Sequence, residues 1–226
     1  MPPDDAPPVE EAPAEAAPDP TVAALRERFQ TALGDGVLEA ADAFGTLVVR
    51  VRPDAWRPAA EFARHELECD FLSFVAGLDW QPAALPGGDA GGDTSSPVQP
   101  TETTFGAAGS AGRFQVFAHV QSTLRHWGVT LKTDVDAAAP RVASWVPVYA
   151  GADWHERECW EMYGIEFDGH PSLRHLYLPA EFEGHPLRKD FPLLAREVKP
   201  WPGLVDVEPM PGSGDEEAGD GEGGGE

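Results

Sequence analysis

The residues best suited to chemistry are concentrated between positions 150 and 193, where four of the seven histidines lie among many acidic and basic side chains. Histidine and carboxylate side chains are common ligands of catalytic metal ions. The candidates for such a site are His155, Glu158, His170, His175 and Asp190. Only His170 and His175 show a ligand-like spacing, HxxxxH, which is a weak pattern by itself. A metal-dependent hydrolase therefore stays an alternative and is not the preferred interpretation.

Strings typical of other enzymes are missing from the sequence. It contains neither the phosphate-binding GxxxxGK[ST] string nor the HExxH and GxSxG strings of metal-dependent and serine hydrolases. The sequence therefore gives no motif support for an isolated enzyme of these classes.

A charged helix is predicted over residues 153–163, with Asp153 as its N-cap and Glu156 completing a capping box three positions later. The helix carries four ionisable side chains in three turns, at Glu156, Arg157, Glu158 and Glu161. Arg157 and Glu161 are spaced as i,i+4 partners. In an arbitrary sequence such a helix most often presents a solvated, ion-paired face.

The chain after this helix contains one short motif twice. Residues 168–174 read DGHPSLR and residues 183–188 read EGHPLR, so each copy has an acid, Gly, His and Pro followed closely by Leu and Arg. Gly allows backbone conformations that other residues avoid, and Pro fixes the direction of the chain. The motif predicts two rigid turns whose histidines form local hydrogen bonds, in preference to a metal or proton-transfer role.

The overall charge excludes several classes of protein. The 226 residues carry 39 acidic and 16 basic side chains, a net charge of −23, which argues against a free-standing nucleic-acid binder.

The longest apolar run, near residues 71–78, is too short to cross a bilayer, and no secretory signal is recognisable. Cys69 and Cys159 are expected to be free, buried thiols of a cytosolic protein, and two cysteines are too few to hold an iron–sulfur cluster.

The acidic residues are concentrated at the two ends of the chain. Residues 1–20 and 203–226 together hold fourteen acids and no base, and they are rich in Pro or Gly, so both are predicted to be disordered tails. The remaining residues carry 25 acids against 16 bases. They are expected to form a moderately acidic domain over residues 21–163.

The hydrophobic pattern of this domain predicts an α+β fold. Helices are expected at residues 21–33, with Thr21 as N-cap, and at 54–68, and strands at 45–52, 70–78, 113–121 and 128–135. The last two strands read as an antiparallel hairpin, with the strand at 70–78 buried beside it. The predicted architecture is a two-layer sandwich, a small mixed or antiparallel sheet with helices on one face.

Two regions have little periodicity. Residues 81–112 are rich in Gly, Pro, Ser and Thr and are predicted to form a solvated, mobile insertion. Residues 164–202 combine many Pro and Gly with large apolar and aromatic side chains, which one small domain would bury poorly. This stretch is therefore predicted to be an extended, irregular C-terminal segment that binds a partner.

The run over residues 156–177 resembles the signature of the 30-kilodalton (C) subunit family of respiratory complex I, the NADH–quinone oxidoreductase. The positions that meet this signature are Glu156, Arg157, Glu158, Glu161, Met162, Tyr163, His170, Arg174, Leu176 and Tyr177. Residues 184–193 (GHPLRKDFPL) also resemble the usual ending of the family. The resemblance covers residues 113–193 well, and residues 21–80 only by the layout of their elements.

The resemblance implies a non-catalytic structural and assembly subunit of the hydrophilic arm of a proton-translocating complex. Electrons would pass from NADH through FMN and iron–sulfur clusters to quinone on other subunits, so this chain would bind no cofactor of its own. The implied partner is the 49-kilodalton (D) subunit of the complex. The implied location is peripheral, on the cytoplasmic side of the bacterial cell membrane, through the complex.

The sequence leaves related assignments open. An equivalent subunit of a hydrogenase-like or deazaflavin-linked dehydrogenase complex would look similar, and a free-standing adaptor would differ only in its partner. We expect residues 156–163 to set the docking geometry and residues 164–193 to form the extended contact. The predicted interface residues are Glu156, Arg157, Glu158, Glu161, Tyr163, His170, Arg174, His185, Arg188, Lys189 and Phe191.

Overall fold

The computed structural model describes residues 19–81 and 105–191. One layer of the fold is a five-stranded mixed sheet. Its strands are β1 (Val37–Ala43), β2 (Thr46–Val51), β3 (Phe71–Asp79), β4 (Phe114–Gln121) and β5 (Gly128–Val135). They lie in the order β1-β2-β5-β4-β3, and every neighbouring pair is antiparallel except β2 and β5, which are parallel. Two short parallel strands, β6 (Arg141–Ala143) and β7 (Glu166–Asp168), form a separate small sheet.

Three helices form the second layer, on one face of the five-stranded sheet. They are α1 (Pro20–Leu33), α2 (Trp56–His65) and α3 (Ala152–Tyr163). A row of paired residues crosses this face from Val51 through Thr133 and Val116 to Gly77, and the ring of Tyr163 in α3 lies directly over Gly77. The predicted α+β fold with helices on one face is confirmed.

The core between the layers follows from the two sequence periods. Strand residues at alternate positions, such as Leu47 and Val49 in β2, point towards the helices and are fully buried. Helix α1 contributes Val22, Leu25 and Phe29 at helical spacing. Trp56 at the start of α2 stacks on Trp145 with ring centroids 4.2 Å apart, and these two rings fill the space between α2 and the chain that leads into α3.

The opposite face of the sheet is polar and partly covered. Asp134 of β5 accepts hydrogen bonds from Arg50 (2.8 Å) and Gln115 (2.8 Å) on the neighbouring strands. Residues 105–112 pack against this face, since Lys132 donates to the carbonyl of Ala107 at 2.9 Å. The prediction of a solvated insertion over residues 81–112 therefore does not hold for residues 105–112, and residues 82–104 lie outside the described part of the chain.

Element ends differ from the predictions where caps decide them. Helix α1 is capped by Asp19, whose carboxylate accepts from the N–H of Thr21 at 2.7 Å, so Thr21 is not the N-cap. Helix α2 is shorter than predicted, because Pro53–Ala55 forms a 3-10 turn before it and the helix ends at His65. The predicted capping box of α3 is wrong as well, because Gly151 is the N-cap and no side chain caps the helix.

Three strands were not predicted. Strand β1 is rich in Ala, Asp and Glu, which favour strands weakly, and it forms because it pairs with β2 as a hairpin. Strands β6 and β7 have three residues each and form because they pair with each other. Strand β7 lies within the stretch predicted to be irregular. Strand β3, predicted to be buried, lies at the sheet edge, and Phe71 at its start is 49% exposed.

Most of the predicted tails, residues 1–18 and 203–226, lies outside the described residues, as does the end of the C-terminal segment from residue 192. Within residues 19–81 and 105–191, no helix has the length and apolar character needed to cross a membrane.

We expect Gly77→Ala to destabilise the domain. A Cβ atom at Gly77 would lie 2.7 Å from Cδ2 of the Tyr163 ring, so α3 or the ring must shift, at a cost of about 1–3 kcal/mol. The matched control is Gly106→Ala, where a Cβ atom meets nothing within 4 Å. Urea unfolding of both variants measures the difference. Equal stability of the two would show that α3 does not pack closely on β3.

Candidate functional site

Helix α3 does not present the solvated, ion-paired face that its composition suggests. Glu156, Arg157 and Glu161 are all buried. Arg157 and Glu161 do not pair with each other, and each binds backbone groups of another part of the chain. The local i,i+4 spacing therefore gave the wrong partners, because burial places these side chains against segments that are distant in sequence.

Glu156 holds the chain that leads into α3. Its carboxylate accepts a hydrogen bond from the hydroxyl of Ser144 at 2.6 Å and another from the N–H of Trp145. Both residues directly follow β6, and the Trp145 ring is the one stacked on Trp56. Burial raises the pKa of Glu156 to about 7, although the two hydrogen bonds and the nearby Arg57 act in the opposite direction.

Arg157 and Glu161 hold the segment after β7, which has no helix or strand over residues 169–191. We call residues 169–191 the strap. Arg157 donates from Nε to the carbonyl of Arg174 (3.0 Å) and from its terminal nitrogen to the carbonyl of His175 (2.8 Å). One turn further along α3, the Glu161 carboxylate accepts hydrogen bonds from the N–H groups of the next strap residues. The helix therefore binds both carbonyl and N–H groups of the strap backbone.

Glu161 accepts four hydrogen bonds from consecutive strap residues. Three come from the backbone N–H groups of Leu176 (3.1 Å), Tyr177 (3.0 Å) and Leu178 (2.8 Å), and the fourth joins Oε1 to Nδ1 of His175 (3.0 Å). Burial by itself would raise the pKa of Glu161, but these donors outweigh it and hold the pKa below its ordinary value. Glu161 is therefore a buried anion whose charge is balanced by the strap.

The two Gly-His-Pro motifs form turns, but the prediction that their histidines bond only locally is wrong, because His170 and His185 both bind carbonyls of α3. Gly169 and Gly184 both have positive φ, 86° and 96°. In the first turn, Nδ1 of His170 accepts from the N–H of Ser172 (3.0 Å), which leaves Nε2 to donate to the carbonyl of Asp153 (3.2 Å). The first histidine therefore fastens the strap near the start of α3.

The second turn completes the C-terminal end of α3. A helix leaves its last four carbonyl groups without partners inside the helix. Here the strap supplies donors for three of these carbonyls, those of Glu161, Met162 and Tyr163. The donors are His185 Nδ1 (2.8 Å), the N–H of Leu187 (3.2 Å) and Arg188 Nε (2.6 Å). The N–H of Gly164 binds the fourth carbonyl, that of Trp160.

Gly164 is required at the end of α3 for two reasons. Its φ of 72° lies in the left-handed region, which favours glycine. A Cβ atom there would also lie 2.5 Å from His185 and 2.5 Å from Arg188. The strap can therefore approach the helix end closely only because this residue has no side chain.

The end of the strap is fastened to the sheet. Asp79, the last residue of β3, has no exposed side-chain surface and accepts two hydrogen bonds from Arg113 (3.0 and 2.8 Å). It also accepts from the N–H of Lys189 at 2.9 Å. Arg113 reaches Asp190 of the strap at 2.9 Å as well. Burial would raise the pKa of Asp79, but Arg113 and the backbone donors hold it below its ordinary value.

The predicted interface residues differ in whether they make contacts within the chain or are exposed. Six make hydrogen bonds within the chain: Glu156 holds the segment before α3, and the other five fasten the strap, namely Arg157, Glu161, His170, His185 and Arg188. Tyr163 is half-buried against Gly77, and Phe191 stacks on Phe182 with ring centroids 6.0 Å apart. Arg174 and Lys189 have exposed side chains, and Glu158 is half-buried beside Tyr177.

Several residues that matter here were not among the predictions. Asp79 and Arg113 had no local signal, because their partners lie in the strap. Trp154, Tyr177 and Leu187 are 67%, 62% and 47% exposed, which is unusual for large apolar and aromatic side chains. Their clustering on α3 and the strap is visible only once the strap has been placed along the helix.

The residues proposed for a metal site do not come together. His170 binds Asp153, His175 binds Glu161, and Asp190 pairs with Arg113. Among residues 19–81 and 105–191, no group of three or more His, Cys, Asp or Glu side chains is arranged to hold a metal ion. The alternative of a metal-dependent hydrolase is therefore not supported.

Comparison with known proteins gives consistent matches. The profile of the family described as respiratory-chain NADH dehydrogenase, 30 Kd subunit, matches residues 49–197. The chain is 36% identical over 178 residues to the C subunit of the NADH-quinone oxidoreductase of Roseiflexus sp. (strain RS-1), covering 78% of this chain and 87% of that protein. It is 35% identical over 177 residues to the protein of the same name from Methylobacterium radiotolerans, covering 77% and 69%.

A solved structure shares the fold. It is a chain from the membrane-bound sulfane sulfur reductase (MBS), an archaeal respiratory membrane complex, with a TM-score of 0.55 and 17% identity. The likeness covers 78% of this chain and 88% of that chain. At this level of identity it concerns the fold alone.

We expect Glu156→Gln to remove a pH dependence of stability. The pKa of Glu156 rises from 4.5 to about 7 on folding, so the folded protein binds more protons than the unfolded chain between these values. Its stability therefore falls as the pH rises through this window. The amide keeps an acceptor for Trp145 and stays neutral, so the variant should gain stability relative to wild type, by up to roughly 3 kcal/mol, between about pH 5 and pH 8.

Urea unfolding across this pH range is the measurement, and Glu158→Gln on the same helix is the control. The control should follow the wild-type pH profile. If Glu156→Gln followed it too, Glu156 would not be a buried group with a raised pKa.

Proposed function

Because this chain belongs to the family of the 30 Kd subunit of respiratory-chain NADH dehydrogenase, we propose that it works as the C subunit of an NADH–quinone oxidoreductase. The resemblance carried by residues 156–177 is thereby confirmed at the level of the family. Within the complex we assign it a structural and assembly role in the hydrophilic arm. Its partner is the 49-kilodalton (D) subunit, and it has no catalytic residue of its own.

The strap is the observation that carries this proposal. It is fastened to α3 and β3 at four places, three through its backbone and one through the His185 side chain, while several of its other side chains are exposed. A segment without regular structure normally loses much conformational entropy when it binds a partner. Here that ordering is done within the chain, so a preformed surface is available for docking.

The outward surface has the composition of an interface. Trp154, Tyr177 and Leu187 expose large apolar and aromatic areas, and aromatic residues are the usual anchors of protein–protein contacts. Arg174 and Lys189 add exposed basic groups on the strap. In this proposal the buried Glu156, Arg157 and Glu161 of α3 position the contact surface and do not themselves contact the partner.

Electron transfer is assigned to other subunits, which bind FMN, the iron–sulfur clusters and quinone. The chemistry of the two cysteines supports this assignment. Cys69 and Cys159 are free and buried, and burial raises the pKa of Cys69 to about 11 and that of Cys159 still further. An iron–sulfur cluster usually needs four cysteine ligands, and the chain has two. We place the chain at the cytoplasmic side of the membrane, through the complex.

The test is affinity purification of the tagged full-length chain from native membranes. We expect a cluster-bearing assembly that oxidises NADH, with the 49-kilodalton subunit present in equal amount by mass spectrometry. Recovery of a hydrogenase-like or deazaflavin-linked module in place of the NADH-oxidising one would move the chain to a related complex. Turnover of a substrate by the pure, isolated chain would contradict the non-catalytic role.

We expect Arg157→Ala and Arg188→Ala to weaken assembly more than they weaken the fold. Arg157 holds two strap carbonyls, and Arg188 holds the end of α3, but neither side chain belongs to the apolar core. Each loss should cost about 1–2 kcal/mol of stability. Hydrogen exchange should rise at residues 174–178 in Arg157→Ala, and the yield of variant in purified complexes should fall severalfold.

Arg26→Ala, an exposed substitution on α1, is the matched control and should change neither quantity. Normal assembly of either strap variant, together with easy unfolding of the isolated chain, would contradict the proposed role of the strap.

A further inference from the structure

A groove of about 450 Å³ opens at the start of α3, between the helix and the strap. Its lining residues are Ala150, Gly151, Asp153, Trp154, His155, Glu158 and Tyr177. Two of them are among the most exposed aromatic residues of the described chain, Trp154 at 67% and Tyr177 at 62%. The groove is therefore a concave surface with two large rings open to solvent.

The groove is also acidic. Asp153 and Glu158 contribute two carboxylates, and none of the seven lining residues is Lys or Arg. Asp153 lies 3.2 Å from His170. Glu158 accepts only a long hydrogen bond, 3.5 Å, from the hydroxyl of Tyr177, and no cationic side chain of the described residues lies within ion-pair distance of it. The Glu158 carboxylate can therefore accept a strong hydrogen bond from a donor on another molecule.

The walls of the groove are fixed in place by contacts already described. Tyr177 is held because its backbone N–H donates to the buried Glu161 at 3.0 Å. Trp154 and Glu158 are one turn apart on α3, and the same helix carries Glu161. The backbone on both sides of the groove is thus ordered without a partner, which lowers the cost of binding.

We propose that this groove receives a cationic side chain, an arginine in preference to a lysine, from the partner subunit. The inference rests on the proposed function and adds the chemistry that the partner must present. A cation is attracted to the faces of Trp and Tyr rings and to a nearby carboxylate. A guanidinium suits both, because it is planar, stacks on aromatic rings and donates two parallel hydrogen bonds to a carboxylate.

Charge decides between this occupant and others. An anionic group would be repelled by Asp153 and Glu158, and a purely apolar group would bury the Glu158 carboxylate without an ion-pair partner. A second copy of this chain is disfavoured, since each copy carries 39 acidic and 16 basic residues and the two would repel each other. A partner with a basic residue on its docking surface is therefore the occupant that fits.

The test measures binding of the full-length chain to the purified 49-kilodalton subunit at low and high ionic strength, about 50 mM and about 500 mM NaCl. Trp154→Ala should weaken binding about tenfold. Glu158→Gln should weaken it severalfold at low salt and reduce its salt dependence. Glu27→Gln, an exposed charge change on α1, is the control and should bind like wild type.

The outcomes separate this inference from the proposed function. If wild type binds the 49-kilodalton subunit but Trp154→Ala and Glu158→Gln bind equally well, the groove does not take a cation, and the proposed function stands. Tighter binding of Glu158→Gln would also overturn the inference. If wild type does not bind at all, the proposed partner is wrong, and the inference falls with it.

A cross-linking experiment identifies the occupant. Tyr177→p-benzoylphenylalanine in the assembled complex should cross-link to a peptide of the 49-kilodalton subunit that contains an exposed Arg or Lys. A cross-link to another part of this same chain, or to a segment without a basic residue, would overturn the inference.

Discussion

The arrangement of α3 and the strap depends on the hydrogen bonds that the Glu161 carboxylate accepts. The carboxylate is buried, and it is stabilised by three consecutive backbone N–H groups and one histidine of the strap. Burying this carboxylate without such donors would be unfavourable. Without the carboxylate, in turn, these strap N–H groups would lack hydrogen-bond partners, because the strap has no helix or strand that could supply them. Helix and strap therefore stabilise each other.

The other contacts extend this dependence along α3. Arg157 binds the carbonyls that precede the N–H groups taken by Glu161. His185 and Arg188 bind carbonyls at the end of the helix, and Asp79 fixes the strap to the sheet. The strap consequently caps the C-terminal end of α3. A change at the helix end should therefore also affect the exposed strap residues that we propose for docking.

The same arrangement separates buried from exposed charge. The side chains with the most perturbed environments, such as Glu156, hold the fold together. Trp154, Glu158 and Tyr177 lie on the outer side of α3 and the strap and remain accessible. In an acidic chain with a net charge of −23, such a surface favours partners that bring positive charge. This fits the docking role proposed for the chain.

The sequence by itself determined the α+β class, four of the strands, all three helices, the family signature and the two glycine-histidine turns, because these follow from local periodicity and spacing. It missed β1, β6 and β7, whose residues form strands only through their pairing. It also paired Arg157 with Glu161, which are four residues apart. Only the tertiary structure decided their real partners, because burial brings backbone groups 15 to 18 positions away against α3, and Lys189 against Asp79 from 110 positions away.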